Sequence, residues 1–370
     1  MLVFVVIFVL ILSPILLIGD SFFPSYLLLL PVIFVYVFSL KLDRKFWRLV
    51  LLGLAFLIMV IFHYLGFRRV DDFMLAKTVL GLLSLVVGYI LAESLPINNR
   101  LRVVSNVLVL NLVLAILLYD VAIFNVFSKF FGIFYAIEDG VFFRSSGVTS
   151  LGGAVLAATY GYFTYLYQST WSSRSLFFYI KLILLFLGTI YYGRTGLLVY
   201  LFMTFLYNWK YMLYSMGAYF LSFLGLRDVI GGKTGVSLLL RRVYEPVFRL
   251  TTEGSLRTDS SDMLIESYET ALEWSLLGDG FFGRSGSYIN YVSSDVAYIR
   301  LFSGGGLVLL ITAIVATYLF VVSPIKNVKL QWVSLLLLLL LSGKEYFLFG
   351  TGGICVLMIL FKDVVIQRNY

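Results

Sequence analysis

The chain of 370 residues contains one cysteine and one histidine. Cys355 sits inside an apolar run, so a disulfide framework and a cysteine-based metal site are excluded. His63 alone cannot supply the histidine-rich sets of zinc or di-iron centres. Charge is scarce too: Asp, Glu, Lys and Arg make up 13% of residues, against ~25% in a soluble domain. A water-soluble fold of this size could not cover itself with so few charges. A soluble enzyme, a nuclear factor and a disordered scaffold are therefore excluded. The N-terminus, MLVFVVIFVLILSP, has no basic segment and no small-residue cleavage site before Asp20, so a retained anchor is expected rather than a removed signal peptide. Neither an internal repeat nor a low-complexity linker interrupts the chain.

What fills the sequence is apolar: 61% of residues, with 34 Phe and 26 Tyr. A bilayer crossing needs ~20 apolar residues at 1.5 Å rise per residue. About twelve such runs occur, near 2–19, 23–40, 49–66, 73–92, 103–122, 151–167, 176–192, 195–208, 211–226, 296–322, 330–343 and 347–361. The expectation is an all-α, polytopic membrane protein forming a single integral domain over residues 1–370. The cluster KLDRKFWR (41–48) sets the orientation, because Lys and Arg are retained on the cytoplasmic side. Placing it inside puts both termini inside, together with Arg100, Arg102, Arg174, Lys210, Lys326, Lys329, Lys362 and Arg368. Of the 20 acids only Asp43, Glu93 and Asp363 fall on that face. The net charge of +8 is therefore a topology signal and no evidence for a nucleic-acid partner.

Two uneven loops fall outside. Residues 120–150 are aromatic (FNVFSKFFGIFYAIEDGVFFRSSG) and suit the outer interface, where Phe and Tyr rings settle. Residues 227–294 are the longest hydrophilic segment. Within them 236–250 reads as a helix broken by Pro246, and 261–276 as a second helix capped from Thr258-Asp259-Ser260-Ser261.

Ionisable groups close to a bilayer are costly and need a reason. Arg144, Arg194, Arg257 and Arg300 all fall on the external face, as does Asp295 where the long loop re-enters. Guanidinium binds phosphate oxygens bidentately and keeps its charge, so such a cluster suits a lipid pyrophosphate head group. The plainer readings are snorkelling anchors for single arginines and a structural ion pair for Asp295 with Arg300. Lys344 and Glu345 can satisfy one another, and His63 suits a packed core position. Gly304-Gly305-Gly306 suits close helix packing.

Four segments resemble Wzy-type polysaccharide polymerases and their relatives, the O-antigen ligases: FFRSSGVTSLGGAVLA, YYGRTGLLVYL, GSLRTDSSDMLIESYETALEWSLLGDGFFG and SDVAYIRLFSGGGLV. Their order and the two uneven loops agree with that family along the whole chain. One family spacing, an arginine followed eleven residues later by glycine, is missing: those positions hold Val155 after Arg144 and Tyr268 after Arg257. The ligases use a histidine in the long loop, and 227–294 contain none, which favours the polymerase.

The resemblance implies a GT-C-like glycosyltransferase of the cytoplasmic (inner) membrane, with its active site facing the exterior. A growing glycan on undecaprenyl pyrophosphate would be transferred to the terminal sugar hydroxyl of a lipid-linked repeat unit. Arg144, Arg194, Arg257 and Arg300 would bind the pyrophosphate, and Asp295 would accept the proton, with Glu253 in reserve. Asp279, Tyr298, Lys344, Glu345 and His63 are secondary candidates. No metal and no cofactor is expected, because arginines can stabilise the leaving charge. Partners would be the two lipid-linked oligosaccharides, membrane lipids and a chain-length regulator protein. The alternatives are a transporter or flippase of lipid-linked oligosaccharides, argued against by the lack of repeated halves, and an O-antigen ligase.

Overall fold

A computed structural model describes residues 2–18, 21–31, 72–133, 135–138, 141–145, 147–149, 153–170, 175–230, 234–254, 297–343 and 353–364, with isolated positions in 47–62 and at 151, 262 and 265. The described residues are mostly helical. In chain order they form α1 (Leu2–Leu12), the hairpin β1 (Ile15–Ile18) and β2 (Ser21–Pro24), α2 (Asp72–Ser94), α3 (Ile97–Leu117), α4 (Val121–Phe127), the hairpin β3 (Tyr135–Glu138) and β4 (Val141–Ser145), α5 (Gly153–Thr170), α6 (Leu176–Tyr192), α7 (Arg194–Tyr207), α8 (Trp209–Ile230), α9 (Gly235–Glu253), α10 (Ala297–Thr317), α11 (Val328–Ser342) and α12 (Gly353–Leu360). Among the described residues one helix, α3, is long and apolar enough to cross a membrane, and several shorter apolar helices accompany it.

Two compact units divide the chain. The first holds 1–28, 95–258 and 364–370; the second holds 29–94 and 259–363.

In the first unit the expected opening span stops early. The α1 helix ends at Leu12, where Ser13 adopts φ 48° ahead of Pro14. Proline disfavours helical geometry in the preceding residue and donates no hydrogen bond, so the apolar run turns into strand instead of continuing as helix. β1 pairs antiparallel with β2, and its other edge takes up the aromatic loop: Leu17 N donates to Phe130 O at 2.9 Å, and Gly132 N donates to Ile15 O at 2.9 Å. The described residues of that loop are themselves structured. Asp120 caps α4 by accepting the amides of Ala122 and Ile123 at 2.9 and 3.2 Å, and the hairpin β3–β4 follows.

The helices α3, α5, α6 and α7 alternate in direction, as two successive contacts along each pair establish. Lys181 donates to Asn106 at 2.6 Å and Asn111 Nδ2 donates to the Tyr192 hydroxyl at 2.9 Å, so α3 and α6 run parallel. Gly188 faces Tyr160 while the Tyr167 and Phe178 rings stack at 5.2 Å, so α5 and α6 are antiparallel. Gly161 meets Gly196, and the Tyr200 hydroxyl donates to Gln168 at 2.7 Å, so α5 and α7 are parallel. Successive crossings of a bilayer would impose the same alternation. Large apolar side chains such as Ile183, Leu187, Leu198, Phe205, Leu221 and Leu224 point outward from α6, α7 and α8.

The α9 helix is amphipathic. Val243 and Tyr244 are buried on its inner face against Phe223 and Ile230 of α8, with Ile190 of α6 packed alongside. Thr234 caps it by accepting the Ser237 amide at 3.2 Å, and Gly254 ends it at φ 66°. The helix expected over 236–250 with a break at Pro246 instead continues to Glu253. Loss of one backbone hydrogen bond at Pro246 is offset by apolar packing on both sides of it.

In the second unit α2 packs along α12, where Gly88 lies against Val356 and Ile359. Lys362 pairs with Glu93, its ammonium lies 3.4 Å from the Tyr89 ring centroid, and its carbonyl accepts the Lys326 amide at 2.7 Å. Three groups assigned by charge to the inner face thus meet at one end of this unit. Within α10 the backbone leaves helical geometry at Gly306 (φ 61°, ψ −161°), so the glycine triplet carries a kink where close packing was the expectation.

Candidate functional site

The site is built on the turn between α6 and α7. Gly193 adopts φ 144° and ψ 166°, a conformation open to a residue without Cβ. It reverses the chain within one residue, so Arg194 begins α7 directly beside the end of α6. Behind the turn lies a buried polar frame. The Tyr191 hydroxyl accepts the Ser145 amide at 3.2 Å, and Asn111 Oδ1 accepts the Val148 amide at 3.2 Å. The end of β4 is therefore fixed to the end of α6, and β4 also packs against α9.

Arg194 reaches α9, where its Nη1 lies 3.1 Å from Glu245 Oε2. Glu245 Oε1 is 3.4 Å from Nε of Arg249, and Arg249 Nη1 is 4.0 Å from Glu253 Oε2. Charges therefore alternate along a ladder of Arg194, Glu245, Arg249 and Glu253. Its inner members are half-buried, Glu245 being 15% exposed, while Glu253 stands 55% exposed at the rim. Partial burial raises the strength of these pairs above that of surface pairs and makes loss of one partner costly.

Of the sequence-derived site residues, Arg194 and Glu253 thus belong to one ladder. Arg144 lies on β4 opposite Ala136, on the strand that packs against α9, so its backbone is brought to the same end of the unit. Arg300 lies in α10 of the second unit. The Tyr298 hydroxyl, also on α10, donates to the Leu339 carbonyl of α11, a packing role. Arg257, Asp279, Asp295, Lys344, Glu345 and His63 lie outside the described residues, as does most of the helix expected over 261–276.

Sequence reasoning passed over Glu245 and Arg249 as site residues. The signal was present: Arg241, Glu245, Arg249 and Glu253 recur every four residues, the spacing that stacks side chains on one helix face. Among the described residues no three His, Cys, Asp or Glu come together as a metal would require. Chemically, the ladder presents guanidinium groups beside carboxylates, an arrangement suited to holding an anion and to taking up a proton. Comparison of the chain with protein-family models, with curated proteins and with solved structures gives no match, so function is argued from this site.

Proposed function

We propose that the chain is a multi-span protein of the cytoplasmic membrane, with about twelve crossings and both termini inside, that polymerises lipid-linked oligosaccharide repeat units on the outer face. The observation that carries this reading is the meeting of Arg194, Arg249 and Glu253 with the strand that bears Arg144, at one end of alternating apolar helices. The outward apolar side chains of those helices support lipid contact, since patches of that kind are costly in water.

In the proposed reaction the acceptor's sugar hydroxyl oxygen bonds to the donor's anomeric carbon. The bond from that carbon to the phosphate oxygen breaks, and undecaprenyl pyrophosphate leaves with the electron pair. Arg144, Arg194, Arg257 and Arg300 stabilise the departing charge, doing the work for which other transferases use a metal. Asp295 takes the hydroxyl proton, with Glu253 in reserve, and orientation of the two lipid substrates supplies much of the remainder. A chain-length regulator is the expected protein partner.

Purified protein incubated with lipid-linked repeat units should yield a ladder of polymers on a gel; absence of a ladder from folded protein overturns the polymerase. The topology has its own check. With Cys355 replaced by serine, a cysteine introduced at Ser255 should react with an impermeant reagent from outside the cell. Reaction only from the cytoplasmic side refutes the arrangement. For the base, Asp295→Asn should slow polymerisation ~10²-fold. If that variant keeps more than about half of the wild-type rate, against the ~10²-fold that base removal costs, Asp295 is a structural ion-pair partner. Inactivity of Glu253→Gln alone moves the role to the rim of the ladder.

A further inference from the structure

We infer that Arg194 and Arg249 form one binding pair for a phosphate group, and that Glu245 is its resident counter-ion, displaced when the phosphate arrives. The inference rests on the pyrophosphate reading above and adds to it a second arginine and a mechanism of entry. Each oxygen of Glu245 faces a different guanidinium, at 3.1 and 3.4 Å, and the two arginines come from different helices, α7 and α9. A carboxylate bracketed in this way occupies the position that a bound phosphate would take between the same two forks. Two cations this close repel unless an anion lies between them, and Glu245 supplies one.

Two further features make displacement feasible. The ladder is partly open to solvent, Arg194 being 20% and Arg249 24% exposed, so an incoming anion can reach both guanidinium groups. The displaced carboxylate also has somewhere to go. Arg241 stands one turn earlier on the same stripe, exposed, with its guanidinium carbon 5.9 Å from the Phe248 ring centroid. Movement of Glu245 from Arg249 to Arg241 keeps a pairing four residues apart on the helix. Glu253, 4.0 Å from Arg249, keeps that side chain aligned meanwhile.

The test measures binding of inorganic pyrophosphate and of farnesyl pyrophosphate to the full chain in detergent, for wild type and Glu245→Gln. Removal of the competing carboxylate should tighten binding about tenfold, the worth of a charge-assisted hydrogen bond, while Arg249→Gln should weaken it by a similar factor. Tightening for both probes assigns the site to pyrophosphate itself; tightening for farnesyl pyrophosphate alone assigns it to a lipid head group. Unchanged or weaker binding of both probes by folded Glu245→Gln protein overturns the inference, since a purely structural carboxylate would leave binding unimproved. Should Glu245→Gln fail to fold, Glu245→Asp keeps the charge but reaches the guanidinium groups less well. It should then tighten binding about threefold by partial loss of the same bonds, and no tightening overturns the inference. The gel assay is run alongside. A ladder from a protein whose Glu245 variants bind no tighter removes the displacement and leaves the polymerase. Tighter binding without any ladder does the reverse.

Discussion

Replacing Arg194 and Arg249 together by alanine should lower polymerisation by roughly 10²- to 10⁴-fold. A hydrogen bond to a charged group is worth about 1.5–3 kcal/mol. If felt only in the transition state, that is roughly 10- to 150-fold for each arginine. In the proposed reaction both arginines act on the same departing charge, and both pair with Glu245, so the product of the two losses, roughly 10⁴-fold, is an upper bound. Alanine at Arg194 alone leaves Arg249 in place; alanine at both strips a half-buried carboxylate of both guanidinium groups. The stability cost must therefore be separated from the catalytic one. Adding Glu245→Ala to the double variant removes the carboxylate that has lost both guanidinium partners and should raise the melting temperature without restoring the rate. Lysine at either position keeps charge but loses the fork, and should recover only part of the activity. A double variant that extends chains at the wild-type rate, followed by gel densitometry over time, would remove the arginine pair from the mechanism.

Much of the helical part was legible because apolar length and glycine punctuation are local signals. The run at 176–192 coincides with α6, and the break expected at Gly193-Arg194 is the turn on which the site stands. The run expected at 151–167 appears as α5, and that at 211–226 as α8, each with its ends shifted by a few residues. The hairpins were harder to see. An apolar run such as Ile15–Ile18 has the composition of helix and strand alike, and only Ser13-Pro14 marks the change. Between Ile137 and Val141 the dipeptide Asp139-Gly140 carries the usual hairpin signal, but the aromatic character of the loop pointed to the membrane interface instead.

The α9 helix shows a different kind of loss. A proline usually breaks a helix, so Pro246 masks in the sequence the four-residue stripe from Arg241 to Glu253, which the continuous helix displays. The contact of Glu245 with Arg194 spans two elements far apart in sequence, and no local pattern announces such a pair. Arg257 and Asp295, the proposed base, lie in 255–261 and 266–296, outside the described residues.

The largest structural effect is expected where α5 crosses α7. A Cβ built on Gly161 would lie 2.1 Å from the Gly196 carbonyl oxygen. One built on Gly196 would lie 2.5 Å from the Ala157 carbonyl oxygen and 2.6 Å from that of Thr189. These obstacles are backbone atoms, which cannot swing aside as a side-chain tip can, so the helices must separate. Small residues permit such approaches between helices, and dispersion between closely packed backbones is lost when they part. Gly161→Val should therefore destabilise the chain by about 3 kcal/mol, the upper end of the usual range for overpacked sites. Separation would also loosen the Tyr200–Gln168 hydrogen bond of 2.7 Å and the Tyr165–Tyr207 ring contact at 5.5 Å. Gly196 lies two residues from Arg194, so its displacement would draw the guanidinium away from Glu245, and the surviving folded protein should also polymerise slowly. Gly217 on α8 is the control, because a Cβ there meets nothing within 4 Å. Gly217→Ala should be neutral or stabilising by about 0.5–1 kcal/mol through the helix preference of alanine. Thermal denaturation of both variants in detergent decides the matter: equal melting temperatures for Gly161→Val and Gly217→Ala would mean that α5 and α7 do not cross at this glycine pair.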